Sequence, residues 1–163
     1  MFALSGCSSV WGCTDTRAQR GEAGVRVQVE DTSGQPLGVT AEVFDWRLEP
    51  HPQVPSEGDR VHFHYRYEGV SVGGISGPAV DVCAVDEARV ALGCRTVHSS
   101  GSRLESDGAL TGDEWLAVED PEQVAEVLLI PNDQSHEPRS CEQDMKDGGG
   151  THPPETPRRG DRL

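Results

Sequence analysis

No apolar run in this chain exceeds four residues, as in Val127-Leu128-Leu129-Ile130, well short of the ~20 needed for a helical membrane span. Basic residues are scarce as well. Fourteen Lys and Arg stand against 28 Asp and Glu, a formal net charge of −14, so the chain lacks the cations a nucleic-acid binder brings to phosphates. From Glu105 to Asp147 the only bases are Arg139 and Lys146, and this acidic half would be repelled by anionic lipid headgroups. Lys146 is the sole lysine among many arginines, the coding bias of a GC-rich genome. The five cysteines contain no Cys-x-x-Cys, which argues against a zinc ribbon or a thioredoxin-type redox site. Gly74-Ile75-Ser76-Gly77-Pro78 has proline where a nucleophile elbow needs glycine, and Gly73-Gly74 and Gly77 lack the spacing and the Lys-Ser/Thr of a phosphate cradle. With 34% hydrophobic residues over 163 positions, only part of the chain can be packed core.

What is present alternates. Val25 to Glu30 reads apolar-polar, the period of a strand with one face on a core, and Asp31-Thr32-Ser33-Gly34 closes it as a turn. A second strand spans about Val39 to Leu48, where the apolar set passes from Ala41 and Val43 to Phe44, Trp46 and Leu48; this change of parity predicts a bulge or a crossing between sheets. Pro50, Pro52 and Pro55 end it. Val61 to Tyr67 is the clearest alternation, with Val61, Phe63, Tyr65 and Tyr67 inward and His62, His64 and Arg66 outward. Ala79–Val85 and Val90–Val97 read as a hairpin, and Ser106-Asp107-Gly108 as a turn before the apolar Trp115-Leu116-Ala117-Val118. Asp120-Pro121-Glu122-Gln123 has the form of a helix start, but Pro131 follows too soon, so one helical turn leading into a strand at Ala125–Ile130 is expected. These short strands predict an all-β domain, an antiparallel β-sandwich of immunoglobulin-like architecture at residues 24–131. The inter-sheet Cys…Trp…Cys arrangement of true immunoglobulin domains is absent, since Trp46 precedes both Cys83 and Cys94. Residues 7–23 read as a flexible tether. Residues 132–163, where the apolar side chains are Cys141, Met145 and Leu163 amid Gly148-Gly149-Gly150 and Pro153-Pro154, read as a disordered tail.

Leu4-Ser5-Gly6-Cys7, followed by Ser8-Ser9, resembles the lipobox of bacterial lipoproteins. The resemblance covers only these residues. It implies export, cleavage before Cys7 and lipid on the Cys7 thiol, with residues 1–6 the remnant of a signal peptide. Only Met1 to Ser5 precede the small residues, so most of the apolar h-region is expected upstream of Met1. The membrane would be reached through the lipid alone. Export into an oxidising space favours a disulfide, and Cys83 can face Cys94 across the hairpin with Val85 opposite Leu92 and the turn near Ala88-Arg89. With Cys7 lipidated, Cys13 and Cys141 remain for each other.

The residues with most chemical content are His62 and His64. Two apart on a strand, they project to one side about 6.6–7 Å apart and could share Zn²⁺ or Cu²⁺ if His51, His98 or an acid supplied a third ligand. Equally, they occupy the outward face of an amphipathic strand, where polar residues are expected. Asp107, Asp113 and Glu114 lack the oxygen ladder of an EF-hand loop, and the paired acids Asp113-Glu114 and Glu119-Asp120 read as a solvated face. The sequence therefore supports a non-enzymatic, lipid-anchored, extracytoplasmic interaction module with no cofactor and no nucleic-acid partner, its core holding most of the aromatic residues. Its partner would be a protein or a cell-envelope ligand. Two alternatives stand beside it: a metal-handling lipoprotein using His62 and His64, and a small cytosolic structural protein in which Cys7 carries no lipid.

Overall fold

The alternation at Val61–Tyr67 fixes the centre of the fold, seen here in a computed structural model that describes residues 16–71, 77–135 and 151–163. Ten strands follow in chain order: β1 Thr16–Arg17, β2 Arg26–Glu30, β3 Pro36–Pro50, β4 Asp59–Glu68, β5 Ala79–Val85, β6 Ala91–His98, β7 Arg103–Leu104, β8 Leu110–Leu116, β9 Glu126–Ile130 and β10 Thr151–His152. The fold is all-β. One antiparallel sheet has the order β2-β3-β4-β8-β7, a second β6-β5-β9, and β1 pairs with β10 in parallel. Val61, Phe63, Tyr65 and Tyr67 are all buried, and a single core cluster joins them to Val80, Val82, Ala84, Val97, Val127 and Leu129 of the second sheet. Burying side chains of this size contributes roughly 1.5–3 kcal/mol each. Tyr67 adds direction to this contact, because its buried hydroxyl donates to the Val97 carbonyl at 2.7 Å and so bonds one sheet to the other.

The expected parity change in β3 is a bulge. Phe44 pairs with His64 and Arg47 with His62, so β3 spends one residue more than β4 over this stretch, and Asp45 takes up the extra length at φ 48°. The change falls after Phe44, not before it. Phe44 stays on the outer face at 37% exposure, while Trp46 and Leu48 turn in against the core. The single helical turn at Pro121–Gln123 and the strand after it are as expected.

In the hairpin, Cys83 faces Cys94 and forms a disulfide with it. Val85, however, lies opposite Ala91 and not Leu92. The turn is the reason: Asp86 and Val90 close a three-residue loop in which Arg89 adopts φ 58°, and such loops insert a bulge into the following strand.

The expectation of a disordered tail fails over residues 151–163. Both strand faces of β5 are buried, and its outer face (Cys83 and Val85, with Leu128 and Ile130 of β9) packs against Ala23, Cys94 and Leu163. Pro153, Pro154 and Pro157 are buried, Val90 bridges to Arg162, and Leu163 N–H donates to the Arg89 carbonyl at 3.0 Å. Residues 131–135 are likewise fastened: Asn132 Oδ1 accepts from Gly21 N–H at 2.7 Å and Asp133 Oδ1 from Ala79 N–H at 3.0 Å. Part of the expected tether is ordered too, since β1 pairs with β10 and Gly24 bridges to Leu129. Apolar strands covered on one side only would leave their second face in water, and the two chain segments supply that cover.

Candidate functional site

The outer face of the five-stranded sheet carries a continuous row of rings. Cross-strand pairing builds it: Phe44 of β3 lies beside His64 of β4, and His62 of β4 beside Trp115 of β8. Phe44 stacks on His64 with centroids 5.8 Å apart, His64 lies 5.1 Å from His62, His62 stacks nearly parallel on Trp115 at 4.2 Å, and His51 meets the indole edge-on at 4.8 Å. The bulge after Phe44 is what leaves that ring in the row.

His62 is the fixed member. Although it points outward it is only 8% exposed, its Nδ1 lying 2.7 Å from Glu49 Oε1 and its Nε2 2.8 Å from Asp113 Oδ2. The Arg47 guanidinium, donating to Glu49 at 2.8 Å, holds the Glu49 carboxyl below the usual carboxylate range, and His62 adds a smaller pull the same way.

Beside the rings opens a groove of about 560 Å³ lined by Phe44, His64, Arg103, Glu105, Thr111 and Asp113. Gly112 also lines it; on the inner side of the sheet a Cβ there would stand 2.4 Å from the Tyr65 hydroxyl, and that hydroxyl accepts from Ser102 Oγ at 3.2 Å. Hydrogen bonds from Thr111, and next from Arg103, hold the Glu105 carboxyl below its ordinary range. The wall therefore combines an exposed aromatic ring, an imidazole and anchored acceptors.

The residues singled out in the sequence are distributed differently. Both ring nitrogens of His62 face carboxylates in opposite directions, His51 is separated from His62 by the Trp115 indole, and His98 is exposed at the end of β6 in the other sheet. Among the described residues no group of three or more His, Cys, Asp or Glu is placed to hold a metal ion. Asp107 pairs with Arg66 at 2.6 Å, Asp113 with His62 and Glu114 with Arg95 at 2.9 Å, so the three acids are not gathered. Glu119 and Asp120 share Arg159. Cys7, Cys13, Cys141 and Gly73–Ser76 lie outside the described residues. Phe44 and Trp115 are the members that sequence reasoning missed. The signal was there in part: Thr111, Asp113 and Trp115 share one parity, and Leu110, Gly112 and Leu116 the other. Compared with family models, with curated proteins and with solved structures, the chain matches none.

Proposed function

We propose that this chain is a non-enzymatic, lipid-anchored extracytoplasmic protein whose two sheets form an immunoglobulin-like β-sandwich acting as an interaction module, with the ring row as its binding surface. One observation carries the reading. Phe44, His64, His62, Trp115 and His51 lie in sequence across an outer sheet face, where a fold that needed them only for its core would have turned the phenylalanine and tryptophan inward. The surface offers ring faces beside anchored hydrogen-bond acceptors. Such a groove suits an extended ligand with flat apolar faces and polar edges, the chemistry of an envelope saccharide. The acids that catalysis could have used are each held by an arginine or histidine, which supports binding over turnover. Export and anchoring rest on Leu4-Ser5-Gly6-Cys7.

Two measurements test this. Glycan fragments released from the cell wall by muramidase, titrated into the protein, should bind saturably, and Phe44→Ala and Trp115→Ala should each abolish binding while the fold persists; unchanged binding in both variants removes the ring row from the account. Metabolic labelling with an alkyne fatty acid, in cells carrying the coding sequence upstream of Met1, should mark the wild type and not Cys7→Ser. An unlabelled wild type removes the anchor.

A further inference from the structure

Away from the ring row, some arginines are less closely paired with acids. Arg26, Arg47, Arg66, Arg95, Arg103 and Arg159 each have a carboxylate oxygen within 3.0 Å. Arg17, Arg20, Arg89, Arg158 and Arg162 do not. Arg20 reaches Asp161 only at 3.7 Å and Arg89 reaches Glu126 only at 3.8 Å, while Arg162 has no acidic partner among the described residues. Arg17 and Arg158 stand 3.7 and 3.9 Å from Glu155, away from the place where Arg20, Arg89 and Arg162 come together. All three line one cavity of about 470 Å³, together with Gly21, Glu22, Ala23 and Leu163.

The backbone places them deliberately. Arg89 holds a left-handed conformation, φ 58°, that glycine or asparagine would adopt at less cost. Arg162 is set beside it by the bridge to Val90 and by Ala91 N–H donating to the Asp161 carbonyl at 2.8 Å. Arg20 comes from the segment before β2; its Nη2 donates to the Glu155 carbonyl at 3.3 Å, but its Nε is buried without a partner. A buried guanidinium donor left unpaired is costly unless something accepts from it. The carboxylates nearby do not fill the need: Glu22 is exposed on the rim, and Asp161 and Glu126 stand beyond hydrogen-bond distance.

We propose that Arg20, Arg89 and Arg162 form a binding site for a phosphate group. Three forked donors around one cavity match the several oxygens and the double charge of a phosphate ester better than the two oxygens of a carboxylate. The group can be free or carried on an anionic lipid headgroup, and the site is independent of the ring row on the other sheet.

Calorimetry with inorganic phosphate and flotation with vesicles containing phosphatidic acid, whose headgroup is a phosphate monoester, against vesicles of phosphatidylcholine alone, separate the two sources. Saturable binding of phosphate supports a free ligand; flotation with the anionic vesicles alone supports a headgroup. In either arm Arg89→Asn, which keeps the left-handed turn, and Arg162→Gln should each weaken binding at least about tenfold, and Arg158→Ala, exposed and outside the cavity, should leave it unchanged. Thermal unfolding of the variants confirms that they fold. Absence of binding in both arms overturns the proposal, as does equal weakening by Arg158→Ala, which would reduce the effect to general charge attraction.

Discussion

Replacing both cysteines of the hairpin, Cys83→Ala with Cys94→Ala, should destabilise the domain by an amount set by the loop they close. The pair is separated by 11 residues, and loop-closure entropy for that length gives about 2.8 kcal/mol at 25 °C. Cys83 is fully buried among Val85, Leu128, Ile130 and Leu163, so alanine also removes packing there, and the double variant should lose somewhat more than wild type loses on reduction. Urea unfolding followed by tryptophan fluorescence reads both. With a slope of about 1–3 kcal/mol/M for a domain of this size, the midpoint should fall by roughly 1–3 M at unchanged slope. A midpoint equal to that of the oxidised wild type would refute the reasoning, and free thiols at Cys83 and Cys94 in protein isolated without reductant would remove its premise. The cover over this bond matters to the assay: reductant should act slowly on the native state and faster once residues 151–163 have opened.

Three further outcomes follow from single sites. Gly112→Ala should cost about 1–3 kcal/mol in denaturant unfolding, because the new methyl meets the Tyr65 ring and hydroxyl; unchanged stability would mean the strand gives way freely. Burial raises the Asp81 carboxyl above its ordinary range against the pull of the Thr96 and Thr156 hydroxyls, so the native state holds that proton more tightly than the unfolded chain. Stability of wild type relative to Asp81→Asn should therefore be greatest in acid and decline as pH rises from the ordinary aspartate range through the raised one; a flat or rising difference across pH-dependent melts would contradict this sign. For metal, Zn²⁺ would have to take one ring nitrogen of His62 from its carboxylate, and among the described residues no three ligands are gathered, so calorimetry should show no saturable binding at this pair; a sub-micromolar equivalent lost in the His62→Ala, His64→Ala double variant would restore the metal reading.

Period-two alternation is legible wherever one face of a strand is dry and the other wet. That is why Val61–Tyr67 and Arg26–Glu30 could be read directly, and why Cys83 could be set against Cys94. The bulge in β3 was visible as a change of parity, but which residue absorbs it depends on Asp45 accepting a left-handed conformation, and an error of one position moved Phe44 from the outer face to the core. Trp115 was lost for a related reason: a short apolar run gives no parity, and only pairing with β4 turns the indole toward His62. The ordering of residues 151–163 has no periodic signature, since prolines and a lone leucine do the packing. A hint lay elsewhere, in the nearly unbroken apolar run of Ala79–Val85 and in Val127–Ile130, which is how strands read when both faces are covered.

The central claim is that the outer face of the five-stranded sheet is where this protein meets its ligand. Two-dimensional amide NMR of the isotopically labelled protein, titrated with muramidase-released glycan fragments, tests it most directly. Shifts should centre on Phe44, His62, His64, Asp113 and Trp115, saturate together and be absent in Trp115→Ala. Shifts confined to β5, β6 and β9, or none at concentrations that saturate the ligand's own solubility, would contradict it.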